Sequence, residues 1–419
     1  MENGYYAYEL IQNLDYERIT GSDHEKLAAD TLVEKLQTLG IKAERQTFEV
    51  PAYTIHKADL HLSEPSCSYH FEVTGYGLSG CTPPEGIEAP FFYAENGEDV
   101  NLSLAKGCIV LLNTHPDAKV YKKMVESKVA GFIAISGNLC DDPEKTDLET
   151  RRLRKGRHLT GDNPVKIPGL SIRARDALVL LEQNPVRCKI ILEQDEFTAQ
   201  SQNIVTELPG RSHTDEYILF TAHYDTVPFS RGAYDNASGS AIIMELCRYF
   251  QQNPLKRPCR FIWCGAEEIG LVGSKHYVSQ LYAEEKNRIA LNINIDLAGQ
   301  LIGAHHAVVS ADNCLSNIIA FLASESGYGV NIRHDVFPSD SSSFADAGIP
   351  AVSLYRTGCG GHSRNDTAGL MSAAALQKTF DFAKDLAIRL GNSAVFPVPH
   401  LIPKEIKQKL DTYFGRDCN

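Results

Sequence analysis

A chain of 419 residues exceeds what one ordinary hydrophobic core serves, so its length predicts a large domain with a second unit inserted or appended. The composition, with 43% apolar and 22% charged residues, is that of a globular protein and excludes disordered and membrane-embedded classes. The formal net charge of -12 excludes nucleic acid and anionic membranes as expected partners, because association with both depends on lysine and arginine.

The N-terminal residues and the cysteines indicate where in the cell the protein is expected. The opening residues contain neither a basic leader nor an apolar run of signal length, and no stretch of about 18 apolar residues follows. Eleven cysteines are scattered singly without a CxxC pair, which favours reduced thiols. We therefore expect a cytoplasmic protein without a membrane partner. No feature of the sequence indicates an oligomeric state.

The first fifty residues predict a helix followed by a strand. Ser22 and Glu25 have the spacing of a capping box before an apolar run that ends at Gly40. Alternating β-branched and aromatic residues then predict a strand over residues 41–50. Neither element contains a cluster of potential metal ligands.

Residues 51–198 contain short strands, turn-forming residues and few helices. Two apolar strands with a short helix between them, over residues 107–136, predict a small α/β unit within otherwise irregular β structure. We therefore predict a smaller, mainly-β domain inserted into a catalytic domain that consists of residues 1–50 and 199–419.

Beyond Ser201, strands alternate with helices. This alternation predicts a mixed, mostly parallel sheet sandwiched by helices, an α/β fold in which functional residues lie at the carboxyl ends of strands. The predicted elements are a strand over 217–223, a helix over 238–250, a strand over 260–264, a helix over 274–281 and a strand over 290–295.

Two potential metal ligands follow the first of these strands. His223 ends the strand, and Asp225 lies two residues later, where it can orient the imidazole as carboxylates do behind zinc-binding histidines. Asp235 lies in the loop before the next helix, and its two carboxylate oxygens can each bind one metal ion. Taken singly, each residue has an ordinary alternative, namely a structural histidine and a helix N-cap.

The adjacent glutamates Glu267 and Glu268 follow the next strand. Like charges side by side near a sheet edge are costly unless a cation neutralises one of them. With a metal present, Glu268 can bind it while Glu267 takes a proton from water. These separate roles, as metal ligand and as proton acceptor, give a chemical reason for two adjacent glutamates.

Asp296 and His362 complete the set. Asp296 ends another apolar strand, and His362 follows the glycine-rich segment 358–361, where glycines permit unusual backbone angles near a crowded site. The ordinary alternatives are a structural aspartate and a flexible surface loop. Two histidines and three carboxylates suit zinc in an open catalytic site better than in a closed structural one.

Taken in order, these segments resemble the di-zinc exopeptidases of metallopeptidase family twenty-eight, of the aminopeptidase Y and aminopeptidase S type. The resemblance covers residues 201–419, and Arg18-x-Thr20-Gly21-Ser22 also looks like the family's first segment. The matching motifs are His223-x-Asp225, Asp235-Asn236-x-Ser238-Gly239, Gly265-x-Glu267-Glu268-x-Gly270-Leu271-x-Gly273-Ser274, Asp296 and His362-Ser363-x-x-Asp366-Thr367.

The resemblance implies the zinc exopeptidase fold and two zinc ions per chain. By position, His223 and Asp296 would bind one zinc ion. Glu268 and His362 would bind the other, and Asp235 would bridge the two. The implied substrate is a peptide with a free N-terminus, whose first peptide bond is hydrolysed.

The resemblance also assigns residues that do not bind metal. Glu267 would be the general base, and Asp225 would orient His223. The Asp235-Asn236 peptide bond would be cis, and the substrate's ammonium group would pair with Glu267 or Asp340. Residues 51–198 would be similar to a protease-associated domain.

Two positions depart from the family. In the segment 339–344, which resembles the family's Ser-Asp-His segment near the substrate pocket, Ser341 stands where the histidine would be. Gly361 stands where several relatives have a tyrosine that holds the oxyanion. Tyr234 and Tyr355 are the remaining candidates for that role, unless the metals alone stabilise the oxyanion.

Three other functions stay open. A carboxypeptidase or dipeptidase of this fold needs cations for a C-terminal carboxylate, and Arg333 and Arg356 lie in the corresponding part of the chain. A glutaminyl-cyclase-like enzyme uses the fold with a single zinc ion. A binding module without catalysis loses the ligands, whereas this chain retains all of them.

Overall fold

The structure is a computed structural model that describes residues 4–62, 70–140, 148, 151–154, 156–212 and 214–416. Two structural units divide the chain. The first comprises Met1–Val50 and Ala199–Asn419, and the second comprises Pro51–Thr198. The assignment of the second unit as a protease-associated-like domain inserted into a catalytic domain stays a prediction.

The strands of the described residues, in chain order, are β1 (Glu44–Leu62), β2 (Val73–Gly75), β3 (Ile87–Tyr93), β4 (Ile109–Leu112), β5 (Gly131–Ser136), β6 (Gly169–Arg173), β7 (Arg187–Leu208), β8 (Tyr217–His223), β9 (Cys259–Cys264), β10 (Ile289–Ile295), β11 (His305–Ser310), β12 (Val330–His334) and β13 (Ala351–Arg356).

The helices are α1 (Tyr5–Asn13), α2 (Asp23–Thr38), α3 (Asp99–Ser103), α4 (Ala118–Glu126), α5 (Ala174–Glu182), α6 (Ser238–Gln252), α7 (Val272–Ser279), α8 (Ala283–Arg288), α9 (Asn313–Ser326), α10 (Ser341–Asp346), α11 (Ala373–Gly391) and α12 (Lys404–Tyr413). Two short turns, Ala233–Ala237 and Ala368–Leu370, complete the regular elements.

The first unit contains a mixed sheet in the order β12-β11-β13-β10-β8-β9-β7. Its strands are parallel except where β13 pairs with β11 and where β9 pairs with β7. The central strands β8 and β10 are buried along their whole length, which explains their nearly continuous apolar sequences. The prediction of a mostly parallel sheet is confirmed.

Helices cover both faces of this sheet. On one face, residues of α1, α2, α6, α9 and α11 form the main core with the strands. On the other face, Tyr277 of α7 and Phe344 of α10 pack against Leu219 of β8 and Ile262 of β9. The predicted helix-covered α/β arrangement is therefore present.

Helix α2 begins where the sequence predicts. The Ser22 hydroxyl accepts a hydrogen bond from the Glu25 N–H at 3.2 Å. The Glu25 carboxylate does not return to Ser22 as in a capping box, because it accepts hydrogen bonds from the Gly21 N–H at 2.6 Å and the Ser201 hydroxyl at 2.7 Å. Burial in this position raises the pKa of Glu25 to about 8.

The second unit contains strands in the order β7-β3-β4-β5-β6-β2. Strands β3 to β6 are parallel, while β7 and β2 pair antiparallel with β3 and β6. The strand, helix and strand predicted over residues 107–136 correspond to β4, α4 and β5. Short helices α3 and α5 accompany them, and the unit is mainly β.

Nine described cysteines are free thiols, and four of them are buried. Among the described helices, none combines the length and the apolar character that crossing a bilayer requires.

Phe220 of β8 is expected to be a large contributor to the stability of the first unit. Its fully buried ring stacks on Phe261 at 4.9 Å and lies 6.0 Å from Phe250. Phe220→Ala is expected to lower the free energy of unfolding by about 3–5 kcal/mol, because the cavity is surrounded by a rigid sheet. Phe321→Ala is the matched control, because that ring is 62% exposed and its loss should change stability by less than about 0.5 kcal/mol. Denaturant unfolding measures both, and equal losses would contradict the prediction.

Candidate metal centre

Two neighbouring strands bring His223 and Asp296 together. The odd-numbered residues 291–295 of β10 belong to the main core, so Asn294 and Asp296 face the other side of the sheet. The parallel register pairs Asn294 with Thr221, which places Asp296 beside His223 two residues further on. Nε2 of His223 lies 3.4 Å from Oδ1 of Asp296.

The loop after β8 brings Asp235 back to His223. Oδ1 of Asp235 lies 3.2 Å from Nε2 of His223. The Asp235–Asn236 peptide bond is cis, as the resemblance implies. Asp235 does not cap α6, because Asn236 Oδ1 accepts the hydrogen bond from the Gly239 N–H at 2.9 Å.

The glutamates follow β9, whose last residue Cys264 is paired with His223. The backbone then turns through Ala266, which has φ of +57°. The N–H groups of Glu267 and Glu268 donate to the Asp225 carboxylate at 3.0 and 3.2 Å. This arrangement holds both glutamates at the carboxyl end of the sheet.

His362 approaches Asp235 from the other side. Its Nε2 lies 3.0 Å from Oδ2 of Asp235 and 3.3 Å from Oε2 of Glu268. Gly360 has φ of +81°, and His362 itself has φ of +58°. A left-handed backbone is unusual for a histidine, and such conformations cluster at functional sites.

These segments converge into three groups of potential metal ligands, with the ligand atoms of each group within 4.8 Å of one another. All five residues predicted as ligands, together with Glu267, lie in this one cluster. Asp235 belongs to two of the groups, with one carboxylate oxygen facing each histidine. The groups are His223 with Asp235 and Asp296, Asp235 with Glu268 and His362, and His223 with Glu267 and Glu268.

The donors fit divalent cations. Oδ1 of Asp296 is buried and makes no hydrogen bond, as expected of an oxygen that binds a metal. In open catalytic sites, zinc is bound mainly by imidazole and carboxylate groups and by few cysteines. The individual ligand roles stay predictions.

The electrostatics of the cluster also favour cations. The Glu268 carboxylate raises the pKa of His362 to about 11, although burial opposes the shift. Burial raises the pKa of Glu267 well above its usual value, against the opposing effect of His223. Burial alone would raise the pKa of Asp235, but hydrogen bonds from His223 and His362 lower it below its usual range. The buried carboxylates therefore attract positive charge strongly.

Asp225 lies behind the cluster and is fully buried. Besides the two glutamate N–H groups, it accepts a hydrogen bond from the Thr20 hydroxyl at 2.8 Å. Its Oδ1 lies 3.5 Å from Nδ1 of His223. Asp225 is thus placed between His223 and the glutamates, which supports the predicted orienting role.

Asp366 is a buried residue to which the sequence did not assign a role. Its carboxylate accepts hydrogen bonds from the N–H groups of Tyr234 and Asp235, at 2.6 and 3.0 Å. It therefore positions the backbone of the residue predicted to bridge the metals. The only signal in the sequence is an acid four residues after His362, because its partners lie more than 130 positions earlier in the chain.

The alternative oxyanion donors occupy other contacts. The Tyr234 hydroxyl donates to the backbone oxygen of Arg356 at 2.5 Å, which argues against Tyr234 in this role. The Tyr355 hydroxyl accepts a hydrogen bond from Arg333 at 2.8 Å. The Tyr234 ring lies beside Gly361, but its hydroxyl is bonded to the Arg356 carbonyl oxygen, so the oxyanion donor is not assigned to it.

Asp225→Asn is expected to lower kcat/KM by about 10- to 100-fold. The amide nitrogen of asparagine would face a backbone N–H donor, so one glutamate loses its support. Steady-state kinetics on an aminoacyl substrate measure the loss. Thr20→Val is the matched control, because it removes only one of the donors to Asp225 and should cost less. Unchanged kinetics in Asp225→Asn would contradict the orienting role.

An open α/β sheet with histidine and carboxylate donors at its strand ends is typical of metal-dependent α/β enzymes. Residues 203–387 match peptidase family M28. This part of the chain is therefore a peptidase family M28 domain.

Individual relatives agree with this family. Aminopeptidase YwaD of Bacillus subtilis is 29% identical over 376 residues, which cover 88% of this chain and 74% of that protein. The solved structure of BSAP, a zinc aminopeptidase from Bacillus subtilis, superimposes with a TM-score of 0.79 at 24% identity, covering 97% of this chain and 99% of that one. An aminopeptidase from Aneurinibacillus sp. strain AM-1 gives a TM-score of 0.76 at 21% identity, covering 94% and 96%. These two structures show the same fold.

Proposed function

We propose that this chain is an aminopeptidase that hydrolyses the first peptide bond of peptides with a free N-terminus, using two zinc ions. The observation that carries the proposal is the position of Asp235, whose two oxygens lie 3.2 Å and 3.0 Å from the histidines of two ligand groups. A carboxylate in that position can bridge two metal ions. The names of the relatives, which are aminopeptidases, support the same activity.

The ligand assignment follows from the two groups that share Asp235. One zinc ion would be held by His223 and Asp296, and the other by Glu268 and His362. Glu268 is the better ligand of the two glutamates, because its carboxylate lies 3.3 Å from His362 and belongs to the same group as Asp235. Glu267 shares a group only with His223 and Glu268, which leaves it available as a base.

Zinc, when bound, supplies Lewis acidity that lowers the pKa of a water molecule and polarises a carbonyl oxygen. Glu267 accepts the proton of the attacking water and returns it to the leaving amine. Burial raises the pKa of this carboxyl, which makes the carboxylate a stronger base toward the proton of water. Asp225 keeps the backbone of Glu267 fixed during both transfers.

The substrate's ammonium group needs a carboxylate that it can reach. Asp340 is fully buried, whereas Glu267 retains 8% exposure at the cluster. Glu267 is therefore the better placed of the two carboxylates predicted for this contact.

The carboxypeptidase alternative is less well supported by the arginines. Arg356 is buried, and its guanidinium donates to the backbone oxygens of Gln300 and Leu301 at 2.6 and 2.7 Å. Arg333 is exposed, and its guanidinium is bonded to the Tyr355 hydroxyl. Neither arginine forms a carboxylate clamp beside the cluster. The single-zinc cyclase is disfavoured because two ligand groups share Asp235.

The proposal is tested by assaying leucine p-nitroanilide against its N-acetyl derivative, after chelation and titration with zinc. We expect hydrolysis of the free-amine substrate only, with activity that reaches a plateau at two zinc ions per chain. Preference for the blocked substrate would favour an endopeptidase, while release of the C-terminal residue from an N-blocked peptide would favour a carboxypeptidase. Full activity at one zinc ion would refute the two-metal site.

Two further expectations accompany this proposal. We propose a cytoplasmic location, which the nine free thiols among the described cysteines support. We also propose that residues 51–198 form a protease-associated-like domain, supported by the parallel strands β3 to β6. Fractionation of cells tests the first, and substrate-length dependence after deletion of the domain tests the second.

A further inference from the structure

A fully buried arginine lies in the N-terminal segment 14–20, far in sequence from every candidate ligand. The Arg18 guanidinium is 0% exposed and donates to five backbone carbonyl oxygens. A guanidinium presents its N–H donors in a planar fork, and each of its three nitrogens has at least one of these oxygens as an acceptor. The acceptors are the oxygens of Leu14, Tyr16 at 2.9 Å, Tyr224 at 2.6 Å, Arg231 at 2.5 Å and Gly232 at 2.9 Å.

Three of these oxygens belong to the loop 224–232, which connects His223 to Asp235. The loop contains no helix or strand, so its buried carbonyl groups depend on partners from elsewhere. Arg18 bonds to both ends of the loop, at Tyr224 and at Gly232. One planar guanidinium group therefore joins the two ends of the loop.

The backbone of Arg18 holds the middle of the same loop. Its N–H donates to the Thr226 hydroxyl at 2.9 Å, and its carbonyl oxygen accepts a hydrogen bond from the Thr226 N–H at 3.1 Å. Glu17 accepts a hydrogen bond from the Phe229 N–H at 2.8 Å. The N-terminal segment thus contacts the loop at its start, middle and end.

Gly232 shows how closely the guanidinium fits. This residue has φ of +58°, and a Cβ atom there would meet Thr226 Cγ2 at 2.3 Å and Arg18 Nη2 at 2.8 Å. Only glycine leaves room for the guanidinium beneath the loop.

The charge of Arg18 is directed toward the carboxylates behind the metal cluster. Asp366 and Asp225 both interact electrostatically with the guanidinium. Asp225 supports the N–H groups of Glu267 and Glu268, and Asp366 supports the N–H of Asp235. Arg18 therefore influences the segments that contain Asp235 and the two glutamates, both through its hydrogen bonds and through its charge.

We propose that Arg18 is a positioning residue for the catalytic site, which fixes the loop 224–232 and thereby the placement of Asp235 relative to His223. The proposal rests on the proposed function, because it takes these two residues as metal ligands. The loop between these two residues has no backbone hydrogen-bond ladder of its own. A displacement of the loop by about 1 Å would therefore move the shared Asp235 carboxylate away from the two metal sites. Removal of groups that orient metal ligands costs about 10- to 100-fold in affinity or activity.

The test compares Arg18→Lys with Arg257→Lys. Lysine keeps the positive charge of Arg18 but not the planar fork that reaches five oxygens. Arg257 is a matched control, because it is 5% exposed and donates to the Ser393 oxygen at 2.8 Å and to Glu216. Its partners belong to segments that contain no candidate ligand. Zinc retention against a chelator, the absorption spectrum of the cobalt-substituted protein, kcat, KM and the unfolding temperature are measured for both variants and the native chain.

We expect Arg18→Lys to lose zinc to the chelator about 10- to 100-fold more readily and to lower kcat by a similar factor, with KM changed by less than about threefold. Its cobalt spectrum should shift, because the ligand geometry changes. Arg257→Lys should lower the unfolding temperature to a comparable extent but keep the native spectrum, zinc retention and kcat.

The proposal is overturned if Arg18→Lys retains native zinc affinity, spectrum and kcat, or if Arg257→Lys reproduces its losses. If Arg18→Lys does not fold, Thr226→Val takes its place, since it removes one bond between Arg18 and the loop. We expect this variant to shift the cobalt spectrum, and an unchanged spectrum would overturn the proposal. An inactive native chain that still binds two zinc ions would refute the aminopeptidase, while zinc retention and the spectrum would still test Arg18.

Discussion

Glu267→Gln is expected to lower kcat by about 10²- to 10⁴-fold while zinc content stays at the native level. Glutamine has nearly the same shape as glutamate but takes no proton from water. The backbone N–H of residue 267 would still donate to Asp225, so the loop should keep its position. Steady-state kinetics and metal analysis of the purified variant measure both quantities.

Glu268→Gln is the informative comparison, because the two glutamates are adjacent and both belong to the cluster. If Glu268 is a ligand, its glutamine variant should lose zinc as well as activity. The opposite pattern, in which Glu267→Gln loses zinc and Glu268→Gln retains it, would exchange the two roles. Both assignments are compatible with the positions of these residues, because His223 forms a ligand group with both glutamates.

Asp235→Asn is expected to reduce bound zinc from two ions to one or none and to abolish activity. An asparagine side chain has only one oxygen. If that oxygen binds the metal ion beside one histidine, no second oxygen is left to bind the ion beside the other histidine. Native Asp235 has Oδ1 at 3.2 Å from His223 and Oδ2 at 3.0 Å from His362, which is the arrangement that the substitution breaks.

The same variant should lose the stabilisation that zinc confers. Zinc present at a hundred times its dissociation constant stabilises a folded protein by about 2.7 kcal/mol per site. The native chain should therefore unfold at a clearly higher temperature with zinc than after chelation, and Asp235→Asn should show a smaller difference. Asp30→Asn, at a half-exposed surface carboxylate, should behave as the native chain. Two zinc ions and full activity in Asp235→Asn would refute the bridging role.

The candidate ligands were predictable because each one ends a strand or lies in the loop after one. Nearly continuous apolar runs mark the buried central strands, and the parallel sheet brings their carboxyl ends to one edge. His223 and Asp296 illustrate this, because the register of β8 and β10 places them side by side. The family resemblance then assigned the ligands to each of the two metal ions and the role of general base to Glu267.

The supporting residues were less accessible to prediction. Arg18 and Asp366 bond mainly to backbone atoms, and backbone partners leave no pattern of residue types in a sequence. Glu25 illustrates a related difficulty. Its spacing from Ser22 predicts a capping box, yet its carboxylate bonds to Gly21 and Ser201, because the Glu25 side chain itself is buried.

The sequence by itself determined the alternation of strands and helices, the residue types of the metal cluster and the order in which they occur. It did so because local periodicity and donor chemistry are properties of neighbouring residues. The tertiary structure decided that Asp235 faces a histidine with each oxygen and that Arg18 spans the loop leading to it. These relations join residues up to more than two hundred positions apart, and only the packed fold sets such distances.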